Sequence, residues 1–372
     1  MNALTVLNGS KKQNGSKKLM KAWVLHDIND IQYNEVPEPK VSDNEVLVKV
    51  KAAGICGSDI PRIYATGAHR MPLIPGHEFA GEVVKLGRQI ESEWLHKRVG
   101  VFPLIPCGKC APCLKRQYEM CRNYGYLGSR SDGGFAEYVP VPVKNLMKLP
   151  DGVTYEEAAM LEPMAVAVHA MRKGTEDCSL EKKAAVAVCG LGTIGLLLLM
   201  FLLEAGYHNL YVVGNKVSQK EKITMLGIPS ERYCDSRQQN ASKWLKECTD
   251  GVELFFECVG KNETLFWGVD SAAPSAGIVL VGNPYSDMLL DRDTYWKILR
   301  NQLTVRGTWN SSFTGEDEDD WNYVMRRLET QNVSPKELIS HRLLLEQLQQ
   351  GLVIMRDKRE DYGKIMINPA HE

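Results

Sequence analysis

The sequence predicts an α/β fold in which a doubly wound parallel sheet is inserted into a mainly β domain, and three observations carry that expectation. The apolar strand Ala184-Ala-Val-Ala-Val-Cys189 runs into Gly190-Leu-Gly192-Thr193-Ile194-Gly195 and then into the helical run Leu196 to Leu203. Strand, glycine turn and helix in that order are what a dinucleotide-binding unit requires. From about 165 to 310, apolar strands at 186–189, 210–213, 254–257, 277–281 and 303–307 alternate with helical stretches, which implies parallel strands covered by helices. Ahead of that segment, runs such as Glu45-Val-Leu-Val-Lys-Val50 and Phe79-Ala-Gly-Glu-Val-Val84 are short, β-type and broken by Gly and Pro; such a texture is mainly β.

Length and charge narrow the function classes. A chain of 372 residues suits two domains. A formal net charge of -1 without a concentrated basic stripe gives no footprint for nucleic acid or an anionic membrane. The most apolar run, Gly195 to Leu203, stops at Glu204, far short of a bilayer span. Residues 1–19 hold Asn8-Gly-Ser-Lys-Lys12 and again Asn14-Gly-Ser-Lys-Lys18, a polar repeat read as a disordered extension, since it has no apolar signal-peptide core. The expected location is therefore cytoplasmic, where ten cysteines point to metal or catalysis rather than to a disulfide framework.

In chain order, the first constellation is Gly54-Ile-Cys56-Gly57-Ser58-Asp59 with Gly76-His77-Glu78, joined far downstream by Leu161-Glu162-Pro163. One Cys, one His and one carboxylate suit zinc and leave a fourth position for water or substrate. A lone Cys or His is also ordinary core, so residue types alone leave this set open.

The second constellation is Cys107-x-x-Cys110-x-x-Cys113-x7-Cys121. Four thiolates within fifteen residues can surround one tetrahedral zinc, and with no open position that zinc is structural. The third is the glycine turn. Gly190 permits the tight bend, Gly192 lets backbone approach a pyrophosphate, and Gly195 lets the helix close on the strand, with Thr193 and Ile194 at the helix start beside the phosphates.

Taken together, Gly54-Ile-Cys-Gly-Ser-Asp59, Pro75-Gly-His-Glu78, the four-cysteine lobe, Asp132-Gly-Gly-Phe-Ala-Glu-Tyr138, Glu162-Pro163 and the glycine turn resemble the zinc-dependent medium-chain dehydrogenase/reductase family from Met20 to Pro369. Gly57-Ser-Asp-Ile-Pro-Arg-Ile63, Gly67-Ala-His69 and Gly128-Ser-Arg130 point within it to the polyol dehydrogenases. The resemblance implies a Rossmann domain at 165–310 inserted in a GroES-like catalytic domain formed by 20–164 and 311–372. Gly363-Lys-Ile-Met-Ile-Asn368 would return as a strand. The helical pattern from Leu343 to Met355 and a solvated acidic run, Glu316 to Asp320, precede it.

It further implies a catalytic zinc held by Cys56, His77 and Glu162, with Glu78 beside it and able to exchange onto the metal, and a second, structural zinc on Cys107, Cys110, Cys113 and Cys121. Zinc would polarise an alcohol oxygen so that its carbon releases hydride to a nicotinamide. Ser58 would pass the alcohol proton outward, although a helix cap near Asp59 explains it as well. Asp59 would orient a ligand. His69 is an ordinary surface residue or the next step of the proton path. The substrate would be a small alcohol or ketone, a polyol or polyol phosphate, for which Arg62 and Arg130 offer bidentate forks. Simple secondary alcohols are the alternative substrate, and a catalytically inactive binding relative the alternative class. Family members are commonly homodimers or homotetramers.

Cofactor choice rests on the residues after the second strand. NAD-specific members carry an acid at that strand's end to hold the ribose hydroxyls. Here Asn209-Leu-Tyr-Val-Val213 leads into Gly214-Asn215-Lys216, with Lys220 and Lys222 nearby. The repelling acid is missing and a cation stands close by, so NADP(H) is expected over NAD(H).

Overall fold

The computed structural model describes residues 18–176 and 180–369. The extension expected at 1–19 lies outside the described residues up to position 17. Leu19 already opens a strand, Leu19–Asp27, paired antiparallel with Asp30–Pro37. Among the described residues, no helix is long and apolar enough to cross a membrane.

Six parallel strands form the nucleotide sheet: Val186–Cys189, Leu210–Gly214, Tyr233–Asp235, Val252–Glu257, Ala272–Leu280 and Thr304–Gly307. Numbered in chain order they lie across the sheet as 3-2-1-4-5-6. This is the doubly wound order, whose reversal beside the first strand opens a crevice at the strands' carboxyl ends. The first two strands are buried throughout, which is why they read as unbroken apolar runs rather than alternations. The third strand, three residues long, is too short to show a period in the sequence.

The mainly β half is a sheet around the long strand Glu45–Ile55, which pairs antiparallel with Glu78–Leu86, with Tyr138–Pro142 and, from the tail, with Lys364–Asn368. Ile365 sits opposite Ile55 and Ile367 opposite Ala53. The tail strand therefore lies one residue from Cys56. A continuous apolar core runs from Leu197 and Phe201 through Met164 and Val168 to Phe102 and Met366. The helix Leu161–Thr175 lies at its middle and runs unbroken across the boundary expected at 164/165.

Two local expectations are corrected. The helical pattern read from Leu343 begins later: Ile339–Leu344 is a strand, and the helix is Leu348–Asp357. The acidic run is not simply solvated, because Asp319 and Asp320 are 5 % and 1 % exposed. Asp319 caps the helix Asp320–Glu329 by accepting from the Asn322 amide at 2.8 Å. Asp320 pairs with His169 Nδ1 at 2.8 Å and Arg172 Nη1 at 2.9 Å. Each carboxylate found a partner more than a hundred residues away or a free helix end.

A further carboxylate, Asp270 on the helix Asn262–Ser271, joins three helices: it takes Lys246 at 2.7 Å from Ala241–Cys248, and also Lys297 from Arg292–Arg300. Burial pushes its carboxyl up, but the hydrogen bonds from Lys246 and Lys297 outweigh burial and hold it at about 2. A carboxyl depressed on folding stabilises above its unfolded pKa and loses that contribution as pH falls through the folded value. Asp270→Asn should therefore cost about 1 kcal/mol at pH 7, after allowance for solvent screening. Urea melts of both proteins should converge as pH falls from about 4 to about 2; a gap that persists at pH 2 would exclude this origin.

Candidate active site

Cys56 follows the end of the strand Glu45–Ile55, and Glu78 opens the strand Glu78–Leu86 directly after His77. Because these strands pair with Gly54 opposite Glu78, the sheet register itself brings the two motifs together. One donor atom from each of Cys56, His77 and Glu78 lies within 4.8 Å of the others. Thiolate, imidazole and carboxylate at that spacing fit one divalent metal such as zinc.

Asp59 sits under this group, fully buried. Its carboxylate accepts from the Cys56 amide at 3.0 Å and from Arg62 Nη1 at 2.5 Å, and lies 3.5 Å from His77 Nδ1. It thus bonds the Cys56 backbone and lies close to the His77 ring, whose Nδ1 is buried without a hydrogen-bond partner; a carboxylate in that place can orient a histidine on a metal. Ser58 stands before the short helix but makes no side-chain cap. Its hydroxyl instead reaches the Cys56 sulfur at 3.4 Å.

The two acidic candidates are held differently. Glu78 Oε2 accepts from Lys364 Nζ at 2.5 Å, and the same ammonium donates to Ile55 O at 3.2 Å. Both partners are buried, 1 % and 3 % exposed. A Cβ on Gly54 would strike that Glu78 carboxylate, so glycine is what leaves room for the pair. Glu162, in the first turn of the helix Leu161–Thr175, accepts from the Tyr126 hydroxyl at 3.0 Å and stands outside the tight group that Glu78 joins.

A cavity of about 570 Å³ opens from these groups, lined by Cys56, Ser58, His77, Glu78, Tyr126 and Glu162 on one side and by Ile194, Val281 and Asn283 of the nucleotide half on the other. His69, an exposed residue, lines it too; burial, then Arg130 and Arg62, lower its pKa. Arg62 lines the same wall. Arg130 stacks on Tyr124 at 4.5 Å with its Nε buried and unpartnered. A wider cleft of about 1180 Å³ lies apart from this centre. Several of its charges are paired with one another, as in Arg342 with Glu156 at 3.0 Å.

The glycine turn is resolved position by position. Gly190 has φ 100°, and a Cβ there would meet Val259 at 2.6 Å; one on Gly192 meets nothing within 4 Å; one on Gly195 would strike Gly190 O. The turn, the open approach and the close helix contact thus fall to the three glycines in that order. The helix Thr193–Glu204 begins with no side-chain cap at Gly192, which leaves its first amides for a phosphate.

Beyond the second strand, a Cβ on Gly214 would lie 2.5 Å from Gln219 Oε1 and 2.7 Å from the Tyr233 hydroxyl. Tyr233 also receives the Lys216 amide at 3.1 Å, and Gln219 the Asn215 amide at 2.8 Å. Side-chain oxygens therefore occupy the place where an acid would start. Lys216 Nζ pairs with Asp361 at 2.9 Å, a residue of the tail that no local motif signals. In the four-cysteine lobe, the sulfurs of Cys107, Cys110, Cys113 and Cys121 also form a tight group that could hold a metal ion.

Residues 42–151 match the alcohol dehydrogenase GroES-like domain and residues 156–357 the glucose dehydrogenase C-terminus. Galactitol 1-phosphate 5-dehydrogenase of Escherichia coli K12 is 33% identical over 90% of this chain and 95% of its own length. The crystal structure of galactitol-1-phosphate dehydrogenase from Escherichia coli superposes with TM-score 0.85 at 32% identity, covering 94% of this chain and 100% of that one. A structure from Sinorhizobium meliloti 1021, described as a zinc-binding dehydrogenase bound to NADP, superposes with TM-score 0.85 at 25% identity, covering 95% and 100%.

Proposed function

This chain belongs to the zinc-containing medium-chain alcohol dehydrogenase family and is an NAD(P)-dependent oxidoreductase, and on that footing we propose that its substrate is a polyol phosphate oxidised at a secondary alcohol, or the matching ketone reduced. The observation that carries the reading is the cavity, where a metal-type donor set faces the nucleotide half across a wall bearing Arg62, His69 and, behind Tyr124, Arg130. Guanidinium groups suit a phosphate. A Zn2+ held by Cys56, His77 and a carboxylate from Glu162 or Glu78 would polarise the alcohol oxygen and lower its proton affinity. Ser58 would accept the alcohol's proton as it releases its own hydroxyl proton, and His69, on the same wall, would take that proton toward solvent. Asp59 holds His77 in place. A second Zn2+ on Cys107, Cys110, Cys113 and Cys121 would be structural.

The division at 20–164, 165–310 and 311–372 and a cytoplasmic location belong to the same proposal. So does a homodimer or homotetramer, supported by the outer edge of the sheet. The edge strand Thr304–Gly307 leaves Val305 exposed, and Tyr295, Trp296 and Leu299 on the preceding helix and Trp309 after the strand are exposed too. An uncovered apolar edge suits a second copy. The test of substrate is a panel of polyols, polyol phosphates and secondary alcohols assayed with both cofactors. Equal rates on free and phosphorylated polyols would remove the phosphate requirement.

For the cofactor we propose NADP(H) over NAD(H), held along Gly190, Gly192, Thr193, Ile194, Gly195, Gly214, Asn215 and Lys216. Gly214→Asp is not a clean probe, because its Cβ collides with Gln219 and Tyr233. Lys216→Ala is. A charge-assisted hydrogen bond contributes about 1.5 kcal/mol at the lower end, and Asp361 already neutralises part of the lysine's charge. The expected result is a fall of about tenfold in kcat/KM for NADP with NAD unchanged. An equal loss with both cofactors would exclude a 2'-phosphate contact.

A further inference from the structure

The acidic run ends in a buried carboxylate, Asp320, at which two elements of the cavity wall meet. One is the helix Leu161–Thr175, whose Glu162 and Val166 line the cavity. His169 lies three positions after Val166, on the same helical face. Its Nδ1 bonds Asp320 Oδ2 at 2.8 Å, and Arg172 Nη1 donates to Asp320 Oδ1 at 2.9 Å. The other element follows the edge strand Thr304–Gly307, where Thr308, Trp309 and Asn310 line the cavity. Two residues further on, the Ser312 amide donates to the same Asp320 Oδ2 at 2.7 Å. The Thr308 hydroxyl oxygen is buried without a hydrogen-bond partner, so the placement of this segment decides where that group is offered.

The neighbours of Asp320 pull on the same segment. Trp321 Nε1 donates to Ser311 Oγ at 3.0 Å, with both residues fully buried. Phe313 packs against Phe102 and Trp321, with ring centroids 4.9 and 5.6 Å apart, and Asp319 Oδ2 accepts from the amides of Thr314 and Gly315 at 2.8 and 2.9 Å. Buried bonds of this kind hold a backbone in one place, because breaking one leaves a polar group unpaired out of water. Resting on the reading of this cavity as the alcohol site, we propose that Asp320 is a positioning residue for the reaction. Its carboxylate does not line the cavity, yet by bonding both walls it sets the separation between the helix bearing Glu162 and the segment bearing Thr308, Trp309 and Asn310. The bond from Trp321 to Ser311 supports it.

Asp320→Asn separates this role from a merely structural one. Asparagine has the shape of aspartate but a single acceptor oxygen, so it can serve the Ser312 amide or Arg172 but not both. The experiment uses the full chain and the fastest alcohol of the panel above, with cofactor in excess. Asp320→Asn is expected to raise KM for the alcohol about tenfold and to lower kcat/KM about 10- to 100-fold, with faster backbone hydrogen exchange across 308–315. A simple loss of folded enzyme lowers kcat and leaves KM unchanged. Asp270→Asn, which loosens a junction of helices that does not line this cavity, is the control for that case and should keep the wild-type KM. Ser311→Ala removes only the hydroxyl that Trp321 holds and should raise KM by a factor of about three. Wild-type KM or unchanged exchange across 308–315 in Asp320→Asn overturns the proposal while leaving the alcohol site standing; where Asp320→Asn does not fold, a wild-type KM in Ser311→Ala does the same. An unmutated chain that oxidises no alcohol of the panel overturns the site itself, and the positioning role with it.

Discussion

Cys56→Ser is expected to abolish turnover while the protein stays folded. A serine hydroxyl is shorter and harder than a thiolate and remains protonated at neutral pH, so it does not replace sulfur on zinc. Losing the Lewis acid removes several kcal/mol of charge stabilisation; about 4 kcal/mol corresponds to roughly three decades in rate. The fold should survive because what orders this turn spares the sulfur: the Cys56 amide donates to the Asp59 carboxylate, and the Asp59 amide to Cys56 O at 3.0 Å. Neither bond uses the sulfur. Steady-state reduction of the nicotinamide, metal content and melting temperature should be read together. Wild-type turnover in Cys56→Ser would show the proposed centre to be wrong.

What could be read from the sequence was what short-range spacing dictates. Gly190, Gly192 and Gly195 each carry a separate expectation within six residues, and the structure returns a steric demand at Gly190 and Gly195 and open space at Gly192. The four cysteines lie within fifteen residues, so their convergence needs little knowledge of the fold. Cys56 and His77 are farther apart, yet the pairing of Gly54 with Glu78 brings them together through the register of two neighbouring strands. What stayed hidden depends on distant partners. Lys364 is separated from Glu78 by 286 residues and Asp361 from Lys216 by 145; an isolated Lys or Asp in a polar tail looks like surface. Tyr126 is one aromatic among several, and only its hydroxyl bond to Glu162 distinguishes it. Within the acidic run, 316–318 are exposed, but Asp320 is buried for the same reason, since His169 and Arg172 approach it from another helix.

Cys110→Ser should act on stability rather than on chemistry, and the lobe's composition explains why. Between Cys107 and Cys121, Leu114 and Met120 are 74 % and 50 % exposed, so the loop has little apolar core of its own. The sulfurs take that place: Cys110 lies 3.5 Å from Cys113 and 3.9 Å from Cys121, and Cys107 lies 3.9 Å from Cys113. Backbone amides of Arg122 and Cys113 draw the Cys110 thiol down to about 6, while burial pushes Cys113 up to about 12. One thiolate forms readily and the next is opposed by burial and by its neighbours. A dication removes that opposition, because four thiolates around Zn2+ are mutually compensated. Structural zinc of this kind contributes on the order of 10 kcal/mol of binding free energy to the segment it orders. Cys110→Ser should lower metal content by one ion per chain, expose 107–121 to limited proteolysis and lower the melting temperature, with turnover at Cys56 retained at low temperature. The loosening should spread, because Arg116 donates to Thr314 O at 2.8 Å and pairs with Glu316, tying the lobe to the segment that leads into the helix Asp320–Glu329. Unchanged metal content together with unchanged protease resistance would show that the four sulfurs order this lobe without a metal.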